Sequence, residues 1–454
     1  MGRITLQQAA QWCGGRIDPK YADVTFFGAN IDSRNVEPGQ LFVALKGARD
    51  GHEFIPMALE KGAAAVLCTR CDGDYPAIVV DDTRLALGDI ARGERQRLGM
   101  KVVGVTGSVG KSTTKEMIAC VLGSTFRTGR TPANHNNDLG LPMAVLALPE
   151  ETEVAVLEMG MNHFREIAYL TSIARPDVAV IINIGTMHIE NLGSREGILQ
   201  AKLEIMEGMN EDGAVILNGD DCLLWNAKEQ LSLVPTYFGA ANGECDVAGS
   251  QVREEQDGIH YHVEADGAGF DIDLPLEGQH YVLDSLAAVA VGLKMGVDPI
   301  RIRESLANFR NMAGRQEILQ VKGYTVIKDC YNAGPESMAA ALAVLGKKTG
   351  RRIAVLGDML ELGVCTRAEH YKVGRIAAEN ADIVLAYGPN SSRVVSGAQT
   401  GGMSELRAKS YEKREDLVAA LKRIAQQGDV MLFKGSHGMH MELALEQFLK
   451  DDET

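Results

Sequence analysis

The segment VVGVTGSVGKSTTKEM places glycines, a lysine and a serine between an apolar run and a helical pattern. Glycines let backbone N–H groups converge on phosphate oxygens, a lysine neutralises their charge, and a serine hydroxyl is a ligand for Mg²⁺. The strict G-x-x-x-x-G-K-[ST] spacing is not met, because Val105 stands at the position of the first glycine, but the shorter T-G-x-x-G-K-[ST] form fits. We therefore predict an ATP-binding phosphate loop; the alternative is a glycine-rich turn with an exposed lysine. The candidate ATP-binding residues of this segment are Thr106, Gly107, Ser108, Gly110, Lys111, Ser112 and Thr113.

Two further polar residues stand at the ends of strand-like runs. Glu158 ends the run in VLEMG, and His188 follows the run in INIGTMHIE. The carboxyl ends of parallel strands meet at one edge of a sheet, which is where α/β ligand sites form. A carboxylate at that edge could hold Mg²⁺, although Glu158 is equally typical of a solvated strand end and a single histidine is more often a hydrogen-bonded structural residue.

Two other segments carry polar groups in unusual settings. Lys202 lies on an otherwise apolar helical pattern, GILQAKLEIM. A buried ammonium there would need a carboxylate partner, whereas the pattern by itself favours a surface lysine whose stem covers apolar neighbours. The asparagine-rich stretch TPANHNNDLGLP, residues 131–142, is a polar loop, either an ordinary one or one that contacts a substrate.

The pattern of apolar runs predicts three α/β domains. Residues 1–98 mix short strands with a helical stretch and predict a small α/β domain. Residues 99–313 alternate strand-like and helical runs, which indicates βαβ units around a mainly parallel sheet, with antiparallel hairpins between Pro235 and Leu276. Residues 314–454 begin a second βα series, which predicts a Rossmann-like doubly wound domain.

Composition excludes several classes of protein. The 454 residues carry 46 basic and 61 acidic side chains, a net charge of −15, so long-range attraction to nucleic acids or anionic membranes is not expected. No apolar run approaches the length of a membrane-spanning helix, and the N-terminus lacks the apolar core of a signal peptide. The eight cysteines are scattered, as in reducing compartments. We expect a cytoplasmic protein without membrane insertion.

Several motifs together resemble those of the Mur ligases, the ATP-dependent enzymes that add amino acids to the peptidoglycan precursor. The resemblance covers nearly the whole chain in order and rests on IDSRNVEPGQLFVALKGARDGHEF, TGSVGKSTTKEM, TPANHNNDLGLPMAVL, VLEMGMNH, INIGTMHIENLGSREGILQAKLEIM, LNGDD, MAGRQEIL, KDCYNAGPESM, AVLGDMLELG and LFKGSHGMHME. It implies an N-terminal domain that holds a UDP-sugar, a central ATPase domain and a C-terminal Rossmann-like domain. The GDMLELG and YNAGPESM forms are most similar to the last cytoplasmic member, whose substrates are UDP-MurNAc-tripeptide and D-Ala-D-Ala.

The resemblance also implies a mechanism and roles for individual residues. A substrate carboxylate attacks the γ-phosphate of ATP, and an amine then attacks the resulting acyl phosphate. Lys111 would bind the β and γ phosphates, Ser112 and Glu158 would hold one Mg²⁺, and His188 would hold a second. Lys202 falls where the family carries a carbamylated lysine that supports the metal site, which makes Lys111, Lys202 and His188 the catalytic candidates. We expect a monomer.

The remaining candidates come from the two ends of the chain and from the asparagine-rich loop. Domain closure is expected to complete the nucleotide site with residues of the C-terminal domain, namely Arg315, Asp329 and Asn332. The UDP-substrate candidates are Ser33, Arg34, Lys46, Gly47, Asn136 and Asn137.

Two departures from the family pattern stand out. The family commonly has H-N-x-x-N before an alanine-rich helix, whereas this chain has His280, Tyr281 and Asp284, so we assign no adenine site. The family usually has KGSR near the C-terminus, whereas His437 stands in place of that arginine. Alternatives that remain open are a sister ligase that adds the third residue, a folylpolyglutamate-type ligase, and a P-loop kinase or nucleotide switch.

Overall fold

The computed structural model describes residues 4–132, 135–255, 257–312 and 314–450. The predicted boundary at residue 313 lies outside the described residues. Among the residues that are described, none of the helices combines the length and the hydrophobicity that a membrane crossing requires.

Residues 4–98 build a four-stranded parallel sheet, in the order β3-β4-β5-β6, and a small two-stranded sheet of β1 and β2. The helix α3 begins where Asp82 accepts hydrogen bonds from two backbone N–H groups and ends at Gly99 in the left-handed conformation. The elements are β1 Ile4–Thr5, α1 Leu6–Cys13, β2 Thr25–Phe26, β3 Ala29–Asn30, β4 Leu41–Val43, α2 Ile55–Glu60, β5 Ala65–Cys68, β6 Ala77–Val79 and α3 Thr83–Leu98.

The central segment forms a nine-stranded sheet in the order β15-β14-β13-β12-β11-β10-β7-β9-β8. Strands β7 to β13 pair in parallel, and β13 to β15 form the antiparallel hairpins predicted at one edge. Its elements are β7 Lys101–Thr106, α4 Lys111–Gly123, β8 Thr128–Arg130, α5 Gly140–Leu146, β9 Val154–Glu158, α6 Glu166–Ala174, β10 Val178–Ile181, α7 Ile189–Leu192, α8 Arg195–Leu203, β11 Ala214–Asn218, α9 Cys222–Asn226, β12 Thr236–Gly239, β13 Val247–Glu255, β14 Gly258–Ala265, β15 Ala268–Leu274, α10 His280–Lys294 and α11 Pro299–Ala307.

The last segment forms a six-stranded sheet in the order β16-β17-β21-β18-β19-β20, which is parallel except for the pairing of β16 with β17. Helices cover both faces, so the predicted α/β fold class is confirmed. The elements are β16 Glu317–Val321, β17 Tyr324–Asp329, α12 Pro335–Gly346, β18 Arg352–Gly357, α13 Thr366–Asn380, β19 Ile383–Tyr387, α14 Ser391–Thr400, β20 Ala408–Tyr411, α15 Arg414–Ile424, β21 Val430–Lys434 and α16 Met441–Leu449.

The central sheet brings three strand ends together. In the parallel register Thr106 pairs with Ile181 and Val105 pairs with Glu158. The carboxyl ends of β7, β9 and β10 therefore lie side by side, and the loops that follow them meet at one edge.

The N-terminal and central segments share one apolar core, because α3 packs against α5 and α6. Arg92 and Arg95 of α3 donate to the carbonyls of Ser172 and Ala174 at 3.1 and 2.9 Å. This core fixes the first segment on the central sheet. The division into domains at residues 98 and 313 stays a prediction.

Replacing Gly93 with alanine should destabilise this region. Alanine is normally favoured over glycine inside a helix, but a Cβ at Gly93 would overlap the indole of Trp12 from α1. Overpacking of this kind costs about 1–3 kcal/mol. We expect calorimetry to give a lower thermal midpoint for Gly93→Ala, whereas Gly123→Ala, where the added Cβ meets nothing within 4 Å, should match or exceed the wild type. Equal midpoints for the two variants would contradict this packing.

A buried acid between α4 and α10 should make stability depend on pH. Asp284 accepts a hydrogen bond from the Thr114 hydroxyl at 3.0 Å, and burial raises the Asp284 pKa to about 7. The unfolded chain releases this proton near pH 4, so the native state is disfavoured progressively as pH rises from about 4 to 7. Asp284→Asn removes that cost, and its thermal midpoint relative to wild type should be higher at pH 8 than at pH 5. A difference that stays constant or falls with pH would be inconsistent with a buried, protonated Asp284.

Candidate active site

The phosphate loop connects β7 to α4 and is held by a side chain from the neighbouring strand end. Asn183 accepts from the backbone N–H groups of Ser108 and Val109 at 3.0 Å each and donates to the Val109 carbonyl at 3.0 Å. Gly110 has φ +85°, and a Cβ there would lie 2.6 Å from an oxygen of Asp284. The loop therefore requires glycine at this position.

Lys111 begins α4 with its side chain folded over the loop. Its ammonium donates to the carbonyls of Gly107 and Ser108 at 2.8 and 3.2 Å. Desolvation lowers the pKa of Lys111, and the nearby Glu158 carboxylate opposes that shift. The lysine thus lies between the loop and an acid, as a phosphate-binding cation requires.

Glu158, at the end of β9, is the centre of a hydrogen-bond network although only 2% of its surface is exposed. One carboxylate oxygen accepts from the Ser112 hydroxyl at 2.7 Å and the other from the Asn136 amide at 2.8 Å. A buried carboxylate beside a hydroxyl and an amide is an oxygen-donor set of the kind Mg²⁺ takes. These residues fit the predicted first metal site.

His188 lies at the edge of the same cavity, with its backbone in the left-handed region at φ +63°. Burial and the charge of Lys111 lower the His188 pKa, while Glu361 of the C-terminal segment opposes this shift from 2.6 Å away at Nδ1. A neutral imidazole is the form that binds a metal, so His188 fits the predicted second site.

Lys202 on α8 is 3% exposed, so the surface-lysine interpretation is wrong. Desolvation and the charge of Lys111 lower its pKa well below the usual value. Among the described residues, no hydrogen bond or ion pair is found for its ammonium. This side chain is therefore poised to be a neutral amine, which is the reactive form of a lysine.

Residues of the C-terminal segment close the site from the opposite side. Arg315 donates to the Ser112 hydroxyl at 2.8 Å and stacks over the Tyr331 ring at 4.1 Å. Lys434, 2% exposed, donates to Asp329 at 2.6 Å and to the Asn332 carbonyl at 2.9 Å. The central and C-terminal segments thus face one another across the phosphate loop.

A cavity of about 450 Å³ lies between the central and C-terminal segments. From the central segment it is lined by the predicted residues Ser108, Gly110, Lys111, Ser112, Thr113, Asn136, Asn137, Glu158 and His188. From the C-terminal segment it is lined by the predicted Arg315, Asp329 and Asn332. Of the other central candidates, Thr106, Gly107 and Lys202 are absent from its lining as far as the described residues go.

Sequence reasoning assigned no role to several residues that also line the cavity. Asn183 holds the phosphate loop, and Glu336 accepts from the Thr186 N–H and hydroxyl at 3.1 Å each. Both could have been found, since Asn183 ends the run in INIG and Glu336 belongs to YNAGPESM. Further lining residues of this kind are Gln316, Tyr331 and Ser337.

The two departures from the family pattern have different settings. His280, Tyr281 and Asp284 line the cavity, with the Tyr281 hydroxyl accepting from Asn311 at 2.8 Å. His437 is exposed and faces Tyr331 with ring centroids 6.2 Å apart. The first departure therefore changes the cavity wall, whereas the second changes the protein surface.

The N-terminal candidates lie away from this cavity. Arg34 is exposed and held by Asp32 in a two-pronged contact at 2.8 and 2.9 Å, while Ser33 is buried at 5% exposure. Lys46 and Gly47 are exposed in the loop after β4. In the described parts of the chain none of the four lines the cavity.

Asn137, also predicted to face the substrate, accepts a hydrogen bond from the backbone N–H of Gly140 at 2.8 Å, at the start of α5.

Comparisons with known proteins agree over the whole chain. Three families match in order: the Mur ligase family catalytic domain at residues 25–95, the Mur ligase middle domain at 105–292 and the Mur ligase glutamate ligase domain at 314–437. The chain is 40% identical to the "UDP-N-acetylmuramoyl-tripeptide--D-alanyl-D-alanine ligase" of Bacillus subtilis, over 99% of this chain and 98% of the relative. Identity with the Escherichia coli protein of that name is 36%, over 97% of each chain.

Solved structures give the same result. A crystal structure of MurF from Acinetobacter baumannii superposes with a TM-score of 0.91 at 32% identity, covering 99% of this chain and 100% of that one. The MurF ligase of Thermotoga maritima, solved with ADP, gives 0.81 at 30% identity, covering 93% and 97%. Because both sequence and architecture match from end to end, the chain belongs to the Mur ligase family.

Proposed function

We propose that this enzyme joins D-alanyl-D-alanine to UDP-MurNAc-tripeptide, consuming ATP and releasing UDP-MurNAc-pentapeptide, ADP and phosphate. The observation that carries the proposal is the 40% identity, over 99% of this chain, with the B. subtilis ligase of that specificity. The phosphate loop and the charged residues of the C-terminal segment line one cavity, as the transfer of phosphate between two bound substrates requires.

The chemistry begins with two anions that repel one another. The tripeptide carboxylate must approach the γ-phosphate of ATP, and an acyl phosphate and ADP are the products of that step. In our proposal Lys111 neutralises the β and γ phosphates, while the loop N–H groups and the start of α4 support them. Arg315, Asp329 and Asn332 hold the nucleotide from the C-terminal side. The amine of the dipeptide then attacks the activated carbonyl, and phosphate leaves.

Two Mg²⁺ ions are part of this proposal. Ser112 and Glu158 would hold the first, and His188 the second. When bound, these ions would supply positive charge against the phosphate oxygens. The chain's own contribution is a buried carboxylate kept in place by Asn136 and a neutral imidazole kept in place by its turn.

We propose that Lys202 is carbamylated. Its lowered pKa makes the neutral amine available, and that amine attacks CO₂ to form an N–C bond with loss of one proton to solvent. The product is an anion, so the modification places a negative charge beside Lys111 and His188. Burial and the charge of Lys111 disfavour the ammonium form of Lys202, whereas a carbamate anion is attracted to that charge.

We assign binding of the UDP end of the substrate to the N-terminal domain. Ser33, Arg34, Lys46 and Gly47 would bind the UDP moiety, and Asn136 and Asn137 would contact the peptidyl part. We further propose domains at 1–98, 99–313 and 314–454, a monomeric state and a cytoplasmic location.

Phosphate release tests the activity directly. We expect release from Mg-ATP only when UDP-MurNAc-tripeptide and D-Ala-D-Ala are both present, with the pentapeptide identified by mass, because the acyl phosphate is productive only with an amine acceptor. Replacing the dipeptide with a single amino acid, or the tripeptide with the dipeptide precursor, serves as the control. Turnover with only one substrate would indicate a kinase-type reaction, and turnover with the precursor a sister ligase.

Lys202→Ala should abolish turnover, since the site loses the anion that the carbamate supplies, and added bicarbonate should not restore it. Lys202→Arg should be equally inactive because a guanidinium cannot be carbamylated. A carbon-13 carbamate signal should appear in wild-type protein with labelled bicarbonate and be absent from both variants. Lys294→Ala, at an exposed position of α10, is the matched control and should retain full activity. Activity near wild type in Lys202→Ala would remove this residue from the mechanism.

A further inference from the structure

The turn that follows β10 is fastened to the phosphate loop within the central segment. Asn183, at the start of this turn, accepts hydrogen bonds from the backbone N–H groups of Ser108 and Val109 at 3.0 Å each. The N–H of Gly185 donates to the Ser108 hydroxyl at 2.8 Å. The position of the turn is therefore tied to the position of the phosphate loop.

The next residue of the turn bonds to the opposite side of the cavity. Glu336, in the first turn of α12, accepts hydrogen bonds from the N–H and the hydroxyl of Thr186 at 3.1 Å each. A Cβ at Gly185 would lie 3.0 Å from the carboxyl carbon of Glu336 and 3.1 Å from the Cβ of Ser108. Because residue 185 is glycine, only the backbone of the turn separates this carboxylate from the phosphate loop.

The start of α12 is also joined to the nucleotide candidates of the C-terminal segment. Asn332 lies only four positions before Glu336 along the chain. The Lys434 ammonium donates to Asp329 at 2.6 Å and to the Asn332 carbonyl at 2.9 Å, which braces the stretch between β17 and α12. A displacement of Glu336 would therefore move Asn332 relative to the phosphate loop.

The chemistry of the contact suits a link between two segments. Thr186 offers two donors, and an ionised carboxylate accepts both in charge-assisted hydrogen bonds, which are stronger than bonds between neutral groups. A negative charge in the first turn of a helix also stabilises the helix itself. A role of Glu336 across the cavity must therefore be separated from a role within α12.

We propose that Glu336 is a positioning residue that aligns the C-terminal nucleotide residues with the phosphate loop by accepting both hydrogen bonds of Thr186. The inference rests on the proposed function, because the nucleotide-binding role of Asp329 and Asn332 belongs to that proposal. It adds that the two halves of the nucleotide site are aligned by a side chain that need not touch the nucleotide.

Replacing Glu336 tests the alignment through the affinity for nucleotide. We expect Glu336→Ala to raise the dissociation constant of a non-hydrolysable Mg-ATP analogue about tenfold, a factor that corresponds to the loss of about one charge-assisted hydrogen bond. The dissociation constant of UDP-MurNAc-tripeptide should stay within about twofold, because the predicted UDP-binding residues lie away from this cavity. Wild-type affinity for the analogue, or equal losses for both ligands, would overturn the proposal.

Two further variants serve as controls. Glu336→Gln removes the charge but retains an acceptor oxygen, so the analogue should bind within about threefold of wild type. If this variant is as weak as Glu336→Ala, the charge at the start of α12 accounts for the effect and the proposal fails. Glu379→Ala, at an exposed position of α13, should bind both ligands as the wild type does.

A double-mutant cycle identifies the partner of Glu336. Thr186→Val removes the hydroxyl donor while keeping the shape of the side chain and the backbone N–H. If Glu336 acts through Thr186, then Glu336→Ala should weaken analogue binding by a smaller factor in the Thr186→Val background than in wild type. Equal factors in the two backgrounds would contradict this assignment.

Hydrogen exchange of the turn gives a readout that does not depend on turnover. With the Mg-ATP analogue bound, the Thr186 amide should exchange about tenfold faster in Glu336→Ala than in wild type. The amides of Ile184 and Gly185 are internal references with unchanged exchange, because both donate within the central segment. An unchanged Thr186 amide, or equal acceleration of all three, would refute the alignment role. If the wild type makes no pentapeptide, the proposed function fails, whereas analogue affinity and exchange still decide the role of Glu336.

Discussion

The arrangement of the site depends on one buried carboxylate. Glu158 lies at the end of a central strand with only 2% of its surface exposed, and an unpaired charge in that position would be strongly destabilising. Ser112 and Asn136 each donate to it, so the phosphate loop and the asparagine-rich loop are drawn to the same point. Arg315 reaches the network through Ser112 and extends it to the C-terminal segment. The hydrogen bonds that this buried carboxylate requires therefore bring together parts of the chain that are more than 150 residues apart.

The same logic explains why the site lies between two segments rather than within one. An acyl phosphate is hydrolysed by water unless the site excludes water. A site between two segments can exclude water when the interface is closed and still admit the substrates when the interface is open. The contacts across the interface are polar and directional, such as Glu336 with Thr186 and Arg315 with Ser112. Interfaces of this type open and close more easily than an apolar core, in contrast to the shared core that fixes α3 on the central sheet.

Local patterns predicted what depends on local chemistry. The phosphate loop, the strand that ends at Glu158 and the antiparallel edge follow from periodicity and from residue types at fixed spacing. The short edge strands β8, β16 and β20 were not predicted, because three to five residues at a sheet edge carry little alternation. The burial of Lys202 could not be read from its helix, since one lysine on an apolar face is compatible with either exposure. The contact of Glu361 with His188 depends on how two segments are oriented, which no pattern within either segment encodes.

The acid at position 284 illustrates how a departure from a family pattern can preserve a chemical property. Where the family commonly has an asparagine, Asp284 is buried against Gly110 and accepts a hydrogen bond from Thr114. Because burial raises its pKa to about 7, the carboxyl retains its proton over much of the acidic to neutral range. A protonated carboxyl has one O–H donor and one acceptor oxygen, as an amide has N–H donors and an acceptor oxygen. The low polarity around α4 and α10 therefore lets an acid act as a neutral hydrogen-bonding group beneath the phosphate loop, where an ionised one would repel the phosphates above it.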